Sequence, residues 1–233
     1  MTEVARKAAE LRRLHAAPAI LVLVNVWDVA SARTVAALPG CRAIATGSWP
    51  IAASLGVPDG EVLSREEMLA VAGRIADAVD LPVTADLEAG YGATPADVAE
   101  TVRRAIALGI VGCNLEDTER PLPDAVARVA AACKAADADS AGFVVNARLD
   151  MRVRDGQELD EAVERARAFV DAGAACVYPI ALAEPGLIGE FVRRVGAPVN
   201  VLGRPGGPSV RELEALGVAR VSFGPGPQGA QAP

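Results

Sequence analysis

The stretch Thr84-Ala85-Asp86-Leu87-Glu88-Ala89-Gly90-Tyr91-Gly92 lies where an apolar run gives way to glycines, and it reads as the lip of a barrel. Side chains alternate faces along a strand, so Asp86 and Glu88 are expected to point the same way while the glycines turn the backbone behind them. Two carboxylates about 4 Å apart repel by roughly 4 kcal/mol at an effective dielectric of about 20. Such a pair requires a cation, a proton or an arginine beside it.

Outward from this stretch the chain alternates between two patterns. Ala19 to Val26 is a continuous apolar run, as expected of a strand buried on both faces. Further strands are expected over 42–46, 82–86, 111–116, 142–148, 175–180, 198–202 and 218–223. Helical patterns occupy 3–15, 28–38, 64–79, 95–108, 123–136, 158–171, 184–195 and 208–216, with a long loop from Gly47 to Leu63. Ser64 and Glu67 form a capping box at one of these helix starts. Eight short strands alternating with helices predict an α/β protein, a parallel (β/α)₈ TIM barrel, with a doubly wound open sheet as the alternative. One barrel domain is expected over 1–223. The Pro/Gly-rich tail 224–233 is expected to be flexible and cannot form the eighth helix, which is apparently missing. A gap in the helical ring exposes apolar surface, so the N-terminal helix or a second subunit should cover it, and a homo-oligomer is the preferred expectation.

Composition narrows the chemistry. The 233 residues are 52% hydrophobic, enough for one large core. A formal charge of −7 without a basic cluster argues against nucleic acid and anionic membrane as partners. The N-terminus runs into a charged helical pattern and no apolar run is long enough to span a bilayer, so a cytoplasmic protein is expected. Cys41, Cys113, Cys133 and Cys176 are far apart and read as free thiols. The one histidine, His15, and the two lysines, Lys7 and Lys134, lie in helical patterns away from strand ends. Histidine-based nucleophilic catalysis and a Schiff base are thereby disfavoured.

Catalytic residues of a TIM barrel stand at the C-terminal ends of the strands. That rim gives Asn25, Ser48, Trp49, Asp86, Glu88, Asn114, Glu116, Asn146, Arg148, Tyr178 and Asn200. Asp59 either folds over the mouth as a further carboxylate or simply forms a turn with Gly60, and Asp28 either joins the rim or caps the first barrel helix. Asp117 and Asp150 read as structural partners. The glycine-rich loops at 203–207 and 223–226 are either phosphate cradles or tight turns. Carboxylates without His or Cys favour a hard cation, Mg²⁺ or Mn²⁺, and Arg148 offers a planar fork for a substrate carboxylate.

The stretches Asn25 to Arg33, Ala52 to Gly60, Thr84 to Gly92, Asn114 to Asp117, Asn146 to Asp150 and Pro198 to Leu202 together resemble the isocitrate lyase and phosphoenolpyruvate mutase superfamily. The resemblance implies a Mg²⁺-dependent barrel enzyme acting on small 2-oxo or 2-hydroxy carboxylates through a pyruvate-enolate-like species. It matches Asp59, Asp86, Glu88 and Glu116 to metal-site carboxylates, Arg148 to the substrate arginine and Ser48 to the carboxylate-binding serine. Glu116, Arg148 and Ser48 are thus the expected catalytic set, with Trp49, Tyr91 and Asn200 as further substrate contacts. Glu116 acting through a metal-bound water, Tyr91 and Arg120 are the candidate proton carriers. The lyases' Lys-Lys-Cys-Gly-His type segment and the phosphonomutases' Lys-Asn loop have no counterpart, and Pro50 cannot supply the backbone N–H that the family uses nearby. Cleavage of a C–C bond is the leading expectation. A phosphonomutase-type P–C enzyme and an oxo-acid binding barrel with weakened catalysis are the alternatives.

Overall fold

In the computed structural model, residues 2–139 and 142–224 are described. Helix α1 (Glu3–His15) is followed by β1 (Leu21–Val26), α2 (Val29–Ala36), β2 (Ile44–Thr46), α3 (Ser48–Ser54), α4 (Arg65–Asp77) and β3 (Val83–Asp86). Next come α5 (Pro95–Ala107), β4 (Gly112–Glu116), α6 (Leu122–Asp139), β5 (Val144–Leu149) and α7 (Gly156–Asp171). The chain continues through β6 (Cys176–Pro179), α8 (Pro185–Val195), β7 (Asn200–Leu202), α9 (Val210–Ala215) and β8 (Arg220–Phe223).

Every strand pairing is parallel and the order is β6-β5-β4-β3-β2-β1-β8-β7. The last seam is bridged at Val177 and Val199, where the Val177 N–H donates to the Pro198 carbonyl at 3.0 Å. The sheet therefore curls into a nearly closed (β/α)₈ barrel and not an open doubly wound sheet. Capping boxes at Asp28/Ser31, Ser64/Glu67, Thr94/Asp97 and Ser209/Glu212 start four helices by satisfying their orphan N–H groups.

Helix α1 closes the barrel from below. Its Ala8, Leu11 and Leu14 pack with Leu21, Ala43, Val111 and Val144, which stand at the beginnings of strands. A Cβ on Gly112 would lie 2.8 Å from Leu11 Cδ2, so that position needs glycine for the helix to seat. Lys7 Nζ and Arg12 Nη2 tie α1 down through the carbonyls of Val79 and Phe143, at 3.1 and 3.2 Å. The N-terminal helix thus covers the lower mouth and not the flank beside β8, where Val22 is 40% exposed. Residues 225–233, which contain most of the expected flexible tail and the place of the eighth barrel helix, lie outside the described residues.

One segment differs from its sequence reading. The expected loop after β2 contains α3, whose seven residues are too few to show an apolar period. Pro50 sits in its first turn, where a backbone N–H would lack an intrahelical partner anyway. No helix among the described residues is long and apolar enough to cross a membrane. All four cysteines are free thiols, and burial pushes Cys133 and Cys176 up to about 12, which leaves them inert.

Candidate active site

The C-terminal ends of the strands enclose a cleft of about 260 Å³. Asn25, Ser48, Trp49, Asp59, Asp86, Asn114, Arg148, Tyr178 and Ser222 contribute to its wall. Asp86 is its most constrained acid, 8% exposed at the last position of β3. Ser48 gives both its N–H and its hydroxyl to Asp86 Oδ2, at 3.3 and 3.2 Å, and the Thr46 hydroxyl accepts from the Asp86 N–H at 3.0 Å. Burial raises the Asp86 carboxyl above its ordinary range, against the pull of Arg148 and of the N–H groups of Ser48 and Glu88. Asp59 sits on the exposed side of the same wall and adds negative potential to Asp86 and Glu88.

Glu88 lies beyond the strand to which the expected alternation applies. Strand β3 stops at Asp86, and Glu88 has φ +47°, a left-handed conformation beyond the strand end. Its two carboxylate oxygens are both engaged. Oε1 accepts from the Tyr91 hydroxyl at 2.6 Å and Oε2 from the Glu61 N–H at 2.6 Å. In return the Tyr91 N–H donates to Glu61 Oε1 at 2.7 Å. Glu61 and Tyr91 are left-handed as well, with φ of +58° and +56°. Together with Thr118 and Glu119 they make up the non-glycine residues of positive φ among those described, all of them in loops at the site rim. Below the loop, the buried Arg128 donates to the carbonyls of Ala89, Gly92 and Ala93 at 2.7, 2.8 and 3.1 Å, which fixes the glycine turns.

On the strands next to β3, register aligns Glu116 with Arg148 and Arg148 with Tyr178. Arg148 Nη1 pairs with Glu116, and Nε donates to Asp150 Oδ1 at 2.7 Å. Burial, followed by the Asp86 charge, pushes the Glu116 carboxyl up to about 9, while the surrounding acids hold the Arg148 guanidinium charged. Asp150 also accepts from the Thr118 N–H at 2.9 Å, and Asp117 is occupied by Arg165 at 2.8 Å. Asp28 caps α2 through the Ser31 N–H at 2.6 Å.

Besides Glu88, Glu116 and Asn146, three further sequence candidates lie off the cleft wall. Tyr91 is buried against Glu88, Arg120 faces Asp124 at 3.5 Å, and Asn200 lies one layer below, accepting from the Ser222 hydroxyl at 3.3 Å. That lower layer holds Arg220, wholly buried, whose Nε and Nη2 donate to Ser222 Oγ and Asn114 Oδ1 at 3.1 and 3.2 Å. Nothing in a strand pattern signals an interior arginine. Ser222, Ile180 and Leu202 on the wall were likewise not singled out, although each stands at or just beyond a strand end.

Among the described residues no three His, Cys, Asp or Glu side chains converge as direct ligands of one ion. The four expected metal carboxylates therefore divide. Asp86 and Asp59 face the cleft, Glu88 is held by Tyr91 and Glu61, and Glu116 is paired with Arg148. A hard cation that keeps several waters and takes one or two carboxylates fits this oxygen-only set.

Comparison with known proteins identifies the family. The family described as phosphoenolpyruvate phosphomutase matches residues 11–232. The chain belongs to the isocitrate lyase and phosphoenolpyruvate mutase superfamily. A protein of Burkholderia cenocepacia J2315, provisionally described as a phosphonomutase, is 43% identical and superposes with a TM-score of 0.92, covering 97% of this chain and 94% of its own. Oxaloacetate acetylhydrolase, solved with its product oxalate, is 28% identical with a TM-score of 0.85 over 96% of this chain and 83% of that one. The 2-methylisocitrate lyase of Escherichia coli K12 is 34% identical over 168 residues, which are 66% of this chain and 55% of that enzyme. Lyases and mutases thus surround this superfamily member, and they act on small molecules.

Proposed function

We propose that the protein is a Mg²⁺- or Mn²⁺-dependent lyase or hydrolase that cleaves a C–C bond of a small 2-oxo or 2-hydroxy carboxylate through an enolate. The observation that carries this reading is the cleft whose wall is shared by Asp86, Asp59 and the charged fork of Arg148. Asp86 and Asp59 would hold the cation, with Glu88 and Glu116 acting on their surroundings. When bound, the cation supplies positive charge where the enolate develops. Ser48 fixes the rotamer of Asp86 through two hydrogen bonds, so the acid is pre-oriented. Arg148, held by Glu116 and Asp150, turns its remaining N–H groups toward a substrate carboxylate. Tyr178 is 3% exposed on the wall, and burial raises its phenol above the ordinary value, so it keeps its proton and can deliver it to a carbanion.

Two readings stand behind this one. The likeness to the Burkholderia protein favours a phosphonomutase-type P–C reaction, and the short passage from Glu116 to α6 at Leu122 favours an oxo-acid binding barrel with weakened turnover. Thermal shifts with oxaloacetate, pyruvate, oxalate and methylisocitrate, with and without Mg²⁺, test all three, with products followed by NMR. Metal-dependent stabilisation with C–C cleavage is expected, and Asp86→Ala should abolish the metal-dependent part. Stabilisation without product favours the binding barrel, and no stabilisation by any oxo acid removes the site reading altogether. Self-association over the β1 flank, in the cytoplasm, completes the reading and is checked by sedimentation.

A further inference from the structure

Asn114 stands on the cleft wall, paired in register with Asp86. Its amide oxygen is doubly engaged. Asn146 Nδ2 donates to Oδ1 at 2.8 Å and Arg220 Nη2 at 3.2 Å. A guanidinium carries donors only, so it cannot face an amide nitrogen, and Arg220 therefore dictates which end of the Asn114 amide is turned to it. Among the described residues Nδ2 is left without a protein acceptor, and it is not sealed from the cleft. The other three asparagines of the chain differ. Asn25 commits its amide nitrogen to the Thr46 carbonyl at 2.8 Å, Asn146 commits its own to Asn114, and Asn200 Nδ2 is enclosed without a partner.

Arg220 is wholly buried at the start of β8, and its acceptors are the Ser222 hydroxyl and the Asn114 amide, not a carboxylate. A guanidinium does not deprotonate in proteins, so a full charge sits in the barrel interior at a substantial desolvation cost. Its effect on the two wall residues is unequal. Ser222 Oγ accepts from Arg220 Nε and donates to Asn200 Oδ1 at 3.3 Å, which saturates the hydroxyl. Asn114 alone of the pair keeps a donor for a ligand.

We propose that Asn114 is a substrate-binding residue whose amide N–H₂ donates to an oxygen of the oxo acid beside Asp86, and that Arg220 is the positioning residue that locks the amide in this orientation. A donor whose direction is fixed before the substrate arrives needs no reorganisation on binding. This inference rests on the oxo-acid reading of the cleft.

NMR of asparagine-labelled protein tests the contact, since four asparagines give four side-chain N–H₂ pairs. Asn114→Asp removes one pair and so assigns it, and the aspartate still accepts from Arg220, which keeps this variant folded. In the unmodified protein the Asn114 pair should shift when oxalate is added to the Mg²⁺-loaded form, beyond any shift with Mg²⁺ alone. Calorimetry tests the positioning. Arg220→Gln replaces a donor-only group by one that can also accept, so the amide loses its fixed direction. Oxalate affinity should then fall by about tenfold or more while Mg²⁺ affinity changes by less than about twofold. Arg220→Lys, donor-only like arginine, should recover part of the loss. An Asn114 pair that oxalate leaves in place, or a shift already complete with Mg²⁺, overturns the substrate contact while sparing the oxo-acid reading, and this readout needs no Arg220 variant to fold. Unchanged oxalate affinity in Arg220→Gln, equal losses for Mg²⁺ and oxalate, or a lysine variant no better than glutamine overturns the positioning role. Failure of the unmodified protein to bind oxalate removes the oxo-acid reading and this inference together.

Discussion

The Tyr91 hydroxyl donates to Glu88 Oε1 at 2.6 Å within the loop after β3, and both residues also hold Glu61 of the loop between α3 and α4. Glu88 follows β3, whereas Glu61, whose N–H reaches Glu88 Oε2, is two residues from Asp59. The carboxylate of Glu88 is therefore the tie that holds the Asp59 loop over the mouth. Three left-handed residues in this contact set store backbone strain of about 1 kcal/mol or more each, which the reciprocal hydrogen bonds must offset. Tyr91→Phe leaves Glu88 Oε1 buried without its donor, at a cost of about 1–3 kcal/mol. Chemical denaturation should show that loss, and calorimetry should show weaker Mg²⁺ binding because Asp59 is no longer fixed. Unchanged stability and metal affinity together would refute the tie.

Arg148 reaches Glu116 and Asp150 at once, which only a planar fork can do from one position. Arg148→Lys keeps the charge and loses the geometry. Oxalate binding should weaken by about tenfold or more, and kcat/KM on a cleaved oxo acid should fall by roughly 10²–10³, in the range seen when a pre-organised donor is removed. Thermal stability should change less than activity, because the ammonium still compensates part of the acidic surroundings. Full activity of the lysine variant would show that charge alone suffices.

What was legible from sequence follows what is set locally. The barrel could be read because buried parallel strands are apolar on both faces and the helix starts carry capping residues such as Ser64 and Thr94. The register that aligns Glu116 with Arg148 follows from that, since Glu116 ends β4 and Arg148 is the penultimate residue of β5. Helix α3 was hidden because Ser48-Trp49-Pro50-Ile51 offers no period. The left-handed conformation of Glu88 was not legible because alternation describes a strand only while it continues, and β3 stops at Asp86. Arg220 was unreadable because its solvation comes from Asn114 and Ser222, one 106 residues away.

Tyr178 is the wall residue to which the proposed reaction assigns the proton. Its neighbour in register is Arg148, and its phenol is held neutral by burial. Tyr178→Phe keeps the ring and removes the proton. If Tyr178 protonates the carbanion, kcat should fall by roughly 10²–10⁴ with oxalate affinity unchanged, the signature of a general acid. An equal loss of oxalate binding would assign the hydroxyl to substrate positioning instead.

His15 gives the stability of the fold a pH dependence that is separable from the site. It is 3% exposed under the barrel, its Nδ1 lies 2.8 Å from the Leu11 carbonyl, and Nε2 has no partner. Burial, then the Arg220 charge, lowers its pKa from 6.5 to about 4. The folded protein therefore keeps His15 neutral at pH values where the unfolded chain protonates it. A depressed folded pKa means that the neutral form's stabilising contribution is complete above pH 6.5, declines as pH falls, and levels off below about 4. The total is roughly 3 kcal/mol at 1.36 kcal/mol per pKa unit. Urea unfolding of the protein and of His15→Gln between pH 7.5 and 4 isolates it, because the carboxylates titrate in both. The difference between the two stabilities should shift in favour of the glutamine variant as pH falls through this window, by up to about 3 kcal/mol. Parallel curves over the whole range would mean that His15 is protonated in the folded state, and that the α1 plug opens enough to hydrate it.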